Sequence, residues 1–84
     1  MQTDQSETKG KIFGIISRVM SVPLEQVNDD SSPDNIAGWD SLAHMNLVLA
    51  LEEELGVQFT DTQIVDMLNA ELVLLAVEQA REQQ

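Results

Sequence analysis

The sequence predicts an all-α fold: a four-helix bundle with a long loop between helices 1 and 2 and a short helix 3. Apolar residues recur with the 3.6-residue period of a helix in several segments, and no segment alternates as a half-buried strand does. Residues that commonly begin and end helices stand at the boundaries of those segments. The length of 84 residues allows one small domain with a thin core.

The first predicted helix runs from about Glu7 to Met20, and Pro23 ends it because proline disfavours a helical residue before it. A polar connection follows over residues 24–39, with a dense group of turn formers at 28–35. We expect a single domain over residues 1–84, with a folded core at about 8–82 and flexible residues 1–7. The side chains expected to pin the loop to the core are Leu24, Val27, Ile36 and Trp39.

The second predicted helix covers residues 41–55. Asp40 precedes it as an N-cap that can accept from the backbone N–H of Leu42 or Ala43. Gly56 follows it and suits the left-handed position after a helix end. The residue that begins this helix is a serine, Ser41, and its position decides what the chain can do chemically.

This helix carries more apolar surface than one core contact requires. At 100° per residue, its apolar side chains form two stripes on roughly opposite sides. We expect the longer stripe to enter the core and the shorter one to stay exposed beside acidic residues, as a docking ridge. The alternative is that both stripes are buried between neighbouring helices. The longer stripe comprises Leu47, Val48, Leu51 and Leu55; the shorter one comprises Leu42, Met45 and Leu49.

Two helices complete the predicted bundle after a short extended link at 57–59. Helix 3 covers about 61–68, and Thr60 and Gln63 have the spacing of a capping box at its start. Asn69 caps helix 4, which covers about 70–82. The expected apolar face of helix 4 comprises Leu72, Leu75, Ala76 and Val77.

Charge restricts the partners of this chain. The formal net charge is −11, and no Lys or Arg lies between Val19 and Ala80. Such a surface repels nucleic acids and anionic membranes, and it attracts proteins with basic patches. The alternative is that the acids serve solubility alone. With no cysteine, no signal-peptide pattern and no membrane-spanning run, we expect a cytoplasmic monomer.

Ser41 lacks the neighbours that a catalytic serine needs. A nucleophile requires a base held by a third group, and the only histidine, His44, lies one turn further along the same helix. No EF-hand register exists among the acids, and one histidine without any cysteine argues against a zinc site. We therefore predict no catalytic residue and no metal site. A serine at the first helical position, where an anion is tolerated, suits an attachment point.

The chain resembles the acyl carrier protein family. Asp40, Ser41 and Leu42 match the modification motif of that family, and residues 47–55 resemble its recognition helix. The resemblance extends from about Ile12 to Val77. It implies a freestanding, non-enzymatic four-helix bundle whose serine receives 4′-phosphopantetheine from coenzyme A through a phosphopantetheinyl transferase.

By the same resemblance, Ser41 is the attachment point, flanked by Asp40 and Leu42, and acyl groups ride on the arm as thioesters. The resemblance implies acyl-loading, condensing and modifying enzymes with basic docking patches as partners. The apolar interior can shelter a short acyl chain. The positions expected to dock partners are Leu42, Met45, Leu49, Glu52 and Glu53.

The sequence also departs from the pattern of housekeeping fatty-acid carriers, which have acids where this chain has Ala43, His44 and Asn46. The pair at 38–39 resembles that of carriers of specialised pathways. Fatty-acid, polyketide and related specialised biosynthesis therefore stay open as pathways. An aminoacyl or peptidyl carrier of the same fold stays open as well, as does an unmodified acidic adaptor that binds a basic partner.

Overall fold

The computed structural model describes residues 5–82, and all regular structure in this range is helical. The α-helices are α1 (Gln5–Met20), α2 (Ser41–Leu55), α3 (Asp61–Val65) and α4 (Ala70–Glu82), and a 3-10 helix, Leu24–Gln26, lies between α1 and α2. The predicted bundle, with its long first loop and short α3, is confirmed. Of the segment expected to be flexible, residues 5–7 belong to α1 and residues 1–4 lie outside the described range.

The core lies between α1, α2 and α4, and α1 contacts both of the other helices. Each of these helices contributes two branched aliphatic side chains that are fully shielded from water, because apolar residues three or four positions apart share one face. Each such side chain stabilises the fold by roughly 1.5–3 kcal/mol relative to exposure. These six side chains are Ile12, Ile16, Leu47, Leu51, Val73 and Val77.

The long loop is pinned to the core at three of the four predicted points. Val27, Ile36 and Trp39 are buried, which confirms those predictions. The prediction for Leu24 is wrong, since its side chain is 54% exposed. Leu24 begins the 3-10 helix directly after Pro23, and that short helix buries none of its residues.

The same loop also covers the beginning of α4. The N–H of Ala70 donates to the carbonyl of Ser31 at 2.8 Å, and the N–H of Glu71 donates to the carbonyl of Asp29 at 3.2 Å. The first N–H groups of a helix have no acceptors within the helix, and here the loop supplies acceptors for two of them. Ser31 is buried for this reason, which the turn-forming composition of the segment did not predict.

The predicted caps of the later helices are confirmed. Thr60 and Gln63 form a capping box at the start of α3, with Oγ1 of Thr60 accepting from the N–H of Gln63 at 3.1 Å. Oδ1 of Asn69 accepts from the N–H of Leu72 at 2.8 Å. Gly56 ends α2 in the left-handed region, with φ of 67°. These signals are local in sequence, which is why composition and spacing sufficed to predict them.

α3 is shorter than predicted: it ends at Val65 rather than at Leu68. A continuing helix would bond the N–H of Leu68 to the carbonyl of Ile64. The N–H of Leu68 donates instead to the carbonyl of Asp66, at 2.8 Å. The chain therefore turns tightly out of the helix and leaves the carbonyl of Ile64 without its usual helical donor.

The predicted apolar face of α4 is partly wrong. Leu75 is 48% exposed and Leu72 is only partly buried, although Ala76 and Val77 are buried as expected. At 100° per residue, Leu72 and Leu75 lie on the side opposite to the mean direction of the buried residues. The core face of α4 contains three alanines besides its larger side chains. The buried residues of α4 are Ala70, Val73, Leu74, Ala76, Val77 and Ala80.

None of the helices in the described part of the chain has the length and apolarity that crossing a membrane requires.

Candidate attachment site

The segment that leads to Ser41 is held against the end of α1. A Cβ atom placed on Gly38 would lie 2.8 Å from the carbonyl oxygen of Met20, which is closer than real Cβ contacts allow. Glycine therefore lets the chain pass this point. Trp39, which follows, is 3% exposed and anchors the segment in the core. The position of Ser41 is thus fixed by the residues directly before it.

The start of α2 is capped by Asp40, whose backbone is extended at φ −103° and ψ −173°. Its Oδ1 accepts from the N–H of Ala43 at 2.8 Å, one of the two acceptor contacts that the sequence predicted. Its carbonyl accepts from the N–H of His44 at 2.8 Å. The N–H groups of Ser41 and Leu42 have no acceptor among the described residues, so they point outward from the first turn.

The hydroxyl of Ser41 is exposed at the first residue of α2, and it makes no hydrogen bond with the described residues. None of the described side chains of residues 7–82 is therefore hydrogen-bonded to this hydroxyl as a base would be. His44 is occupied elsewhere: its Nδ1 accepts from Nε1–H of Trp39 at 3.0 Å, and its Nε2 lies 2.9 Å from the carbonyl oxygen of Ile64. With both ring nitrogens engaged, His44 is not available as a general base for Ser41.

The environment of Ser41 suits a covalently attached phosphodiester. Its oxygen projects from the surface, so an attached group has an open path to solvent. The outward N–H groups of Ser41 and Leu42 and the positive end of the α2 dipole favour a negative charge there. The protein has no cysteine, so a thiol at this site has to come from an attached group.

The apolar ridge predicted on α2 is exposed. Leu42 is 73% exposed, Met45 46% and Leu49 57%, whereas the longer stripe is buried at Leu47, Val48 and Leu51. The alternative, in which neighbouring helices bury both stripes, is wrong. Leu42 directly follows Ser41, so the ridge starts at the candidate attachment point and runs along α2.

Beside this ridge, the acidic residues of α2 have different surroundings. Oε2 of Glu52 accepts from the N–H of Phe59 at 3.0 Å and so fixes the segment after α2. Glu54 forms an ion pair with Arg18 of α1. Glu53 is exposed and borders, with Leu49 and Glu52, an open groove of about 520 Å³. The described part of the chain contains no group of three or more His, Cys, Asp or Glu side chains that could hold a metal ion.

Sequence reasoning assigned no role to His44, yet this residue joins Trp39 and Ile64. One signal could have revealed part of this link. An indole N–H on a residue expected to be buried requires an acceptor, and His44 lies five positions after Trp39, across the start of the predicted helix. The contact with Ile64 is 20 residues distant along the chain and has no local signature.

Comparisons with known proteins agree with this geometry. A protein-family model described as a phosphopantetheine attachment site matches residues 10–72. The acyl carrier protein of Chloroherpeton thalassium is 34% identical over 65 residues, which cover 77% of this chain and 81% of that protein. The acyl carrier protein of Thermosynechococcus vestitus is 34% identical over 71 residues, covering 84% of this chain and 88% of that protein.

A solved structure is similar in fold. The solution structure of a holo acyl carrier protein from Geobacter metallireducens superposes with a TM-score of 0.79 and 24% sequence identity, covering 90% of this chain and 87% of that one. The family model and the relatives together identify an acyl-carrying role with covalently attached 4′-phosphopantetheine. Proteins of this kind are carriers rather than enzymes, and they interact with phosphopantetheinyl transferases and biosynthetic enzymes. The chain belongs to the acyl carrier protein family.

Proposed function

We propose that this chain carries acyl groups as thioesters on a 4′-phosphopantetheine arm attached to Oγ of Ser41. It delivers them to partner enzymes of fatty-acid, polyketide or related specialised biosynthesis. The observation that carries the proposal is the exposed Ser41 hydroxyl, without a hydrogen-bond partner in the described range, at the capped start of α2. Ser41 also lies within the residues that the attachment-site family model matches.

Loading of Ser41 requires a separate enzyme, because no described side chain can accept the serine proton. In the loading step, Oγ of Ser41 bonds to the phosphorus of coenzyme A that carries the pantetheine. The pyrophosphate P–O bond breaks, and the adenine nucleotide leaves with its electron pair. The serine proton passes to a base of the transferase. The attached group then supplies the thiol for thioester chemistry.

The chain's own residues hold the arm in place during this chemistry. Asp40 fixes the start of α2 through the N–H of Ala43, and the exposed Leu42 begins the apolar ridge directly beside Ser41. The chain thus contributes a fixed tether and a docking surface, while the partner enzymes contribute the reactive groups.

The docking surface in this proposal is the ridge of Leu42, Met45 and Leu49, with Glu52 and Glu53 at its edge. Exposed apolar side chains beside carboxylates are complementary to an apolar groove with a basic rim. The expected partners are a phosphopantetheinyl transferase and acyl-loading, condensing and modifying enzymes with basic patches. The single domain over 1–84, the monomeric state and the cytoplasmic location stay predictions of the sequence.

The test is intact-protein mass spectrometry after incubation with coenzyme A, Mg²⁺ and a broad-specificity transferase. The wild type is expected to gain one phosphopantetheine, and Ser41→Ala is expected to gain none. Ser21→Ala, which removes another exposed hydroxyl, is the matched control and should be loaded like the wild type. Circular dichroism should show the same helix content in all three proteins.

Two results would contradict the proposal. Loading of Ser41→Ala would place the arm on another residue. A wild type that no transferase loads would favour the unmodified acidic adaptor. If loading succeeds, the mass of the cargo on the native arm distinguishes acyl from aminoacyl groups.

A further inference from the structure

Trp39 and His44 form a hydrogen-bonded pair around Ser41. The indole is buried, at 3% exposure, and its Nε1–H lies 3.0 Å from Nδ1 of His44. The two ring centroids lie 6.2 Å apart and the interplanar angle is 21°, so the rings are also close to parallel. The pair therefore spans the start of α2, with one partner before Ser41 and the other one turn after it.

This contact fixes the protonation pattern of His44. An indole nitrogen only donates, so Nδ1 of His44 has to accept and cannot carry a proton. The proton of the neutral imidazole is then on Nε2, which lies 2.9 Å from the carbonyl oxygen of Ile64 and donates to it. His44 thus accepts from the segment before Ser41 and donates to α3.

The carbonyl of Ile64 lacks its usual α-helical donor because α3 stops there. The N–H of Leu68, which would serve it in a longer helix, donates to Asp66, and the N–H of Met67 donates to the Ile64 carbonyl over a long distance of 3.4 Å. A helix end has carbonyls without helical donors, and side chains can satisfy them. His44, from a different helix, supplies a second and shorter contact of 2.9 Å to this carbonyl, and it holds the end of α3 against the first turns of α2.

We propose that His44 is a positioning residue for the loading of Ser41. It connects Trp39, the start of α2 and the end of α3, so that a partner enzyme meets them as one preformed surface. This inference rests on the proposed function of Ser41. Loss of the His44 contacts leaves the serine hydroxyl intact. The segment around Ser41 and the end of α3 then have to be ordered when the transferase binds, so the loss weakens binding of the carrier and leaves the rate of the transfer step unchanged.

The test uses three variants of the full chain in the transferase assay with coenzyme A and Mg²⁺. His44→Leu removes both hydrogen bonds. His44→Gln keeps one acceptor and one donor on a flexible side chain and serves as the conservative variant. Trp39→Phe removes the indole donor while retaining an aromatic ring in the core. It therefore removes the hydrogen bond to His44 without changing His44 itself.

We expect His44→Leu and Trp39→Phe to raise KM for the carrier about tenfold, with kcat within about twofold of the wild type. His44→Gln should recover most of the loss in KM. A spectroscopic signature accompanies the kinetics. The chain has one tryptophan, so a single indole N–H resonance reports on the contact. Its hydrogen exchange should be slow in the wild type and at least about tenfold faster in His44→Leu.

Wild-type KM values in both His44→Leu and Trp39→Phe, with fast indole exchange in the former, would overturn the inference and leave the proposed function intact. Equal losses in His44→Leu and His44→Gln would also overturn it, since a donor and acceptor at this position would then be irrelevant. If His44→Leu fails to fold, the comparison of Trp39→Phe with the wild type decides. Failure of the wild type itself to load would instead remove the proposed function.

Discussion

At the scale of single residues, the start of α2 is determined by Asp40. Its carboxylate and its carbonyl accept from Ala43 and His44, which leaves the first-turn N–H groups of Ser41 and Leu42 directed outward. The capping role of Asp40 was predictable from the sequence, because an N-cap side chain and the N–H group that donates to it lie within three positions of each other. The same holds for the pairing of Thr60 with Gln63.

The connection made by His44 was not predictable in full for the opposite reason. The carbonyl of Ile64 lies within reach of His44 at the place where α3 ends, and α3 ends earlier than its sequence pattern predicted. A sequence pattern specifies local partners, whereas a contact between two helices depends on how both are placed.

Replacement of Asp40 by alanine is expected to lower the free energy of unfolding by about 1 kcal/mol, because the N–H of Ala43 loses its acceptor. Asp40→Asn removes the same charge but keeps an acceptor oxygen, so it should stay close to the wild type. Urea unfolding followed by the fluorescence of Trp39 measures both. Equal losses in the two variants would attribute the effect to charge rather than to the cap.

At the scale of elements, the bundle depends on how the long loop passes the end of α1. Gly38 lies so close to the carbonyl of Met20 that no side chain fits, and Trp39 then enters the core. The loop also supplies acceptors to the start of α4. The turn-forming residues predicted a loop, but its contacts with α1 and α4 are tertiary and required the structure.

Gly38→Ala is expected to destabilise the fold by about 1–3 kcal/mol, since the new methyl group overlaps backbone atoms that cannot move independently. Gly10→Ala is the matched control, because nothing lies within 4 Å of a Cβ at that position in α1. It should stabilise the fold by about 0.5–1 kcal/mol through higher helix propensity.

Thermal unfolding of the two glycine variants beside the wild type measures this difference. Both substitutions add one methyl group, which overlaps backbone atoms at position 38 but has free space at position 10, where the higher helix propensity of alanine then decides the sign. A Gly38→Ala protein as stable as the wild type would show that the loop can move away from Met20.

The elements were predicted more accurately than their faces. The four helices follow from periodicity and caps, and the exposed ridge of α2 follows from an excess of apolar surface that three other helices cannot cover. The face of α4 was misjudged because leucines were preferred to alanines. Angular position decides burial there, and it directs Leu75 outward while Ala70 and Ala80 are buried.

At the scale of the whole molecule, charge and the ridge act together. The net charge of −11 favours basic partners, and in the proposed docking surface the ridge that begins at Leu42 offers them an apolar contact beside Ser41. Of the acids at its edge, Glu53 is the cleaner probe, because Glu52 also holds the N–H of Phe59. The pathway and the cargo depend on partner surfaces that this chain does not encode.

Glu53→Lys is expected to lower kcat/KM for transferase loading about five- to tenfold at low ionic strength, because it opposes a basic patch at the contact. Glu25→Lys makes the same change in net charge at an exposed position on the 3-10 helix. Glu25→Lys should have little effect on kcat/KM if the basic patch of the transferase contacts only the edge of α2 around Glu53.

Added salt should reduce the difference in kcat/KM between the wild type and Glu53→Lys, because screening weakens the attraction between the wild-type carboxylate and the basic patch of the transferase. Equal losses in Glu53→Lys and Glu25→Lys would assign the effect to overall charge. No loss in either variant would remove the acidic edge of α2 from the docking surface.

Whether Ser41 is a tether rather than a reagent is tested by peptide-resolved mass spectrometry of the protein purified from the cells that make it. We expect phosphopantetheine, with or without cargo, on the peptide that contains Ser41 and on no other peptide. Native protein that is unmodified throughout, or that bears the arm on a different residue, would contradict this assignment.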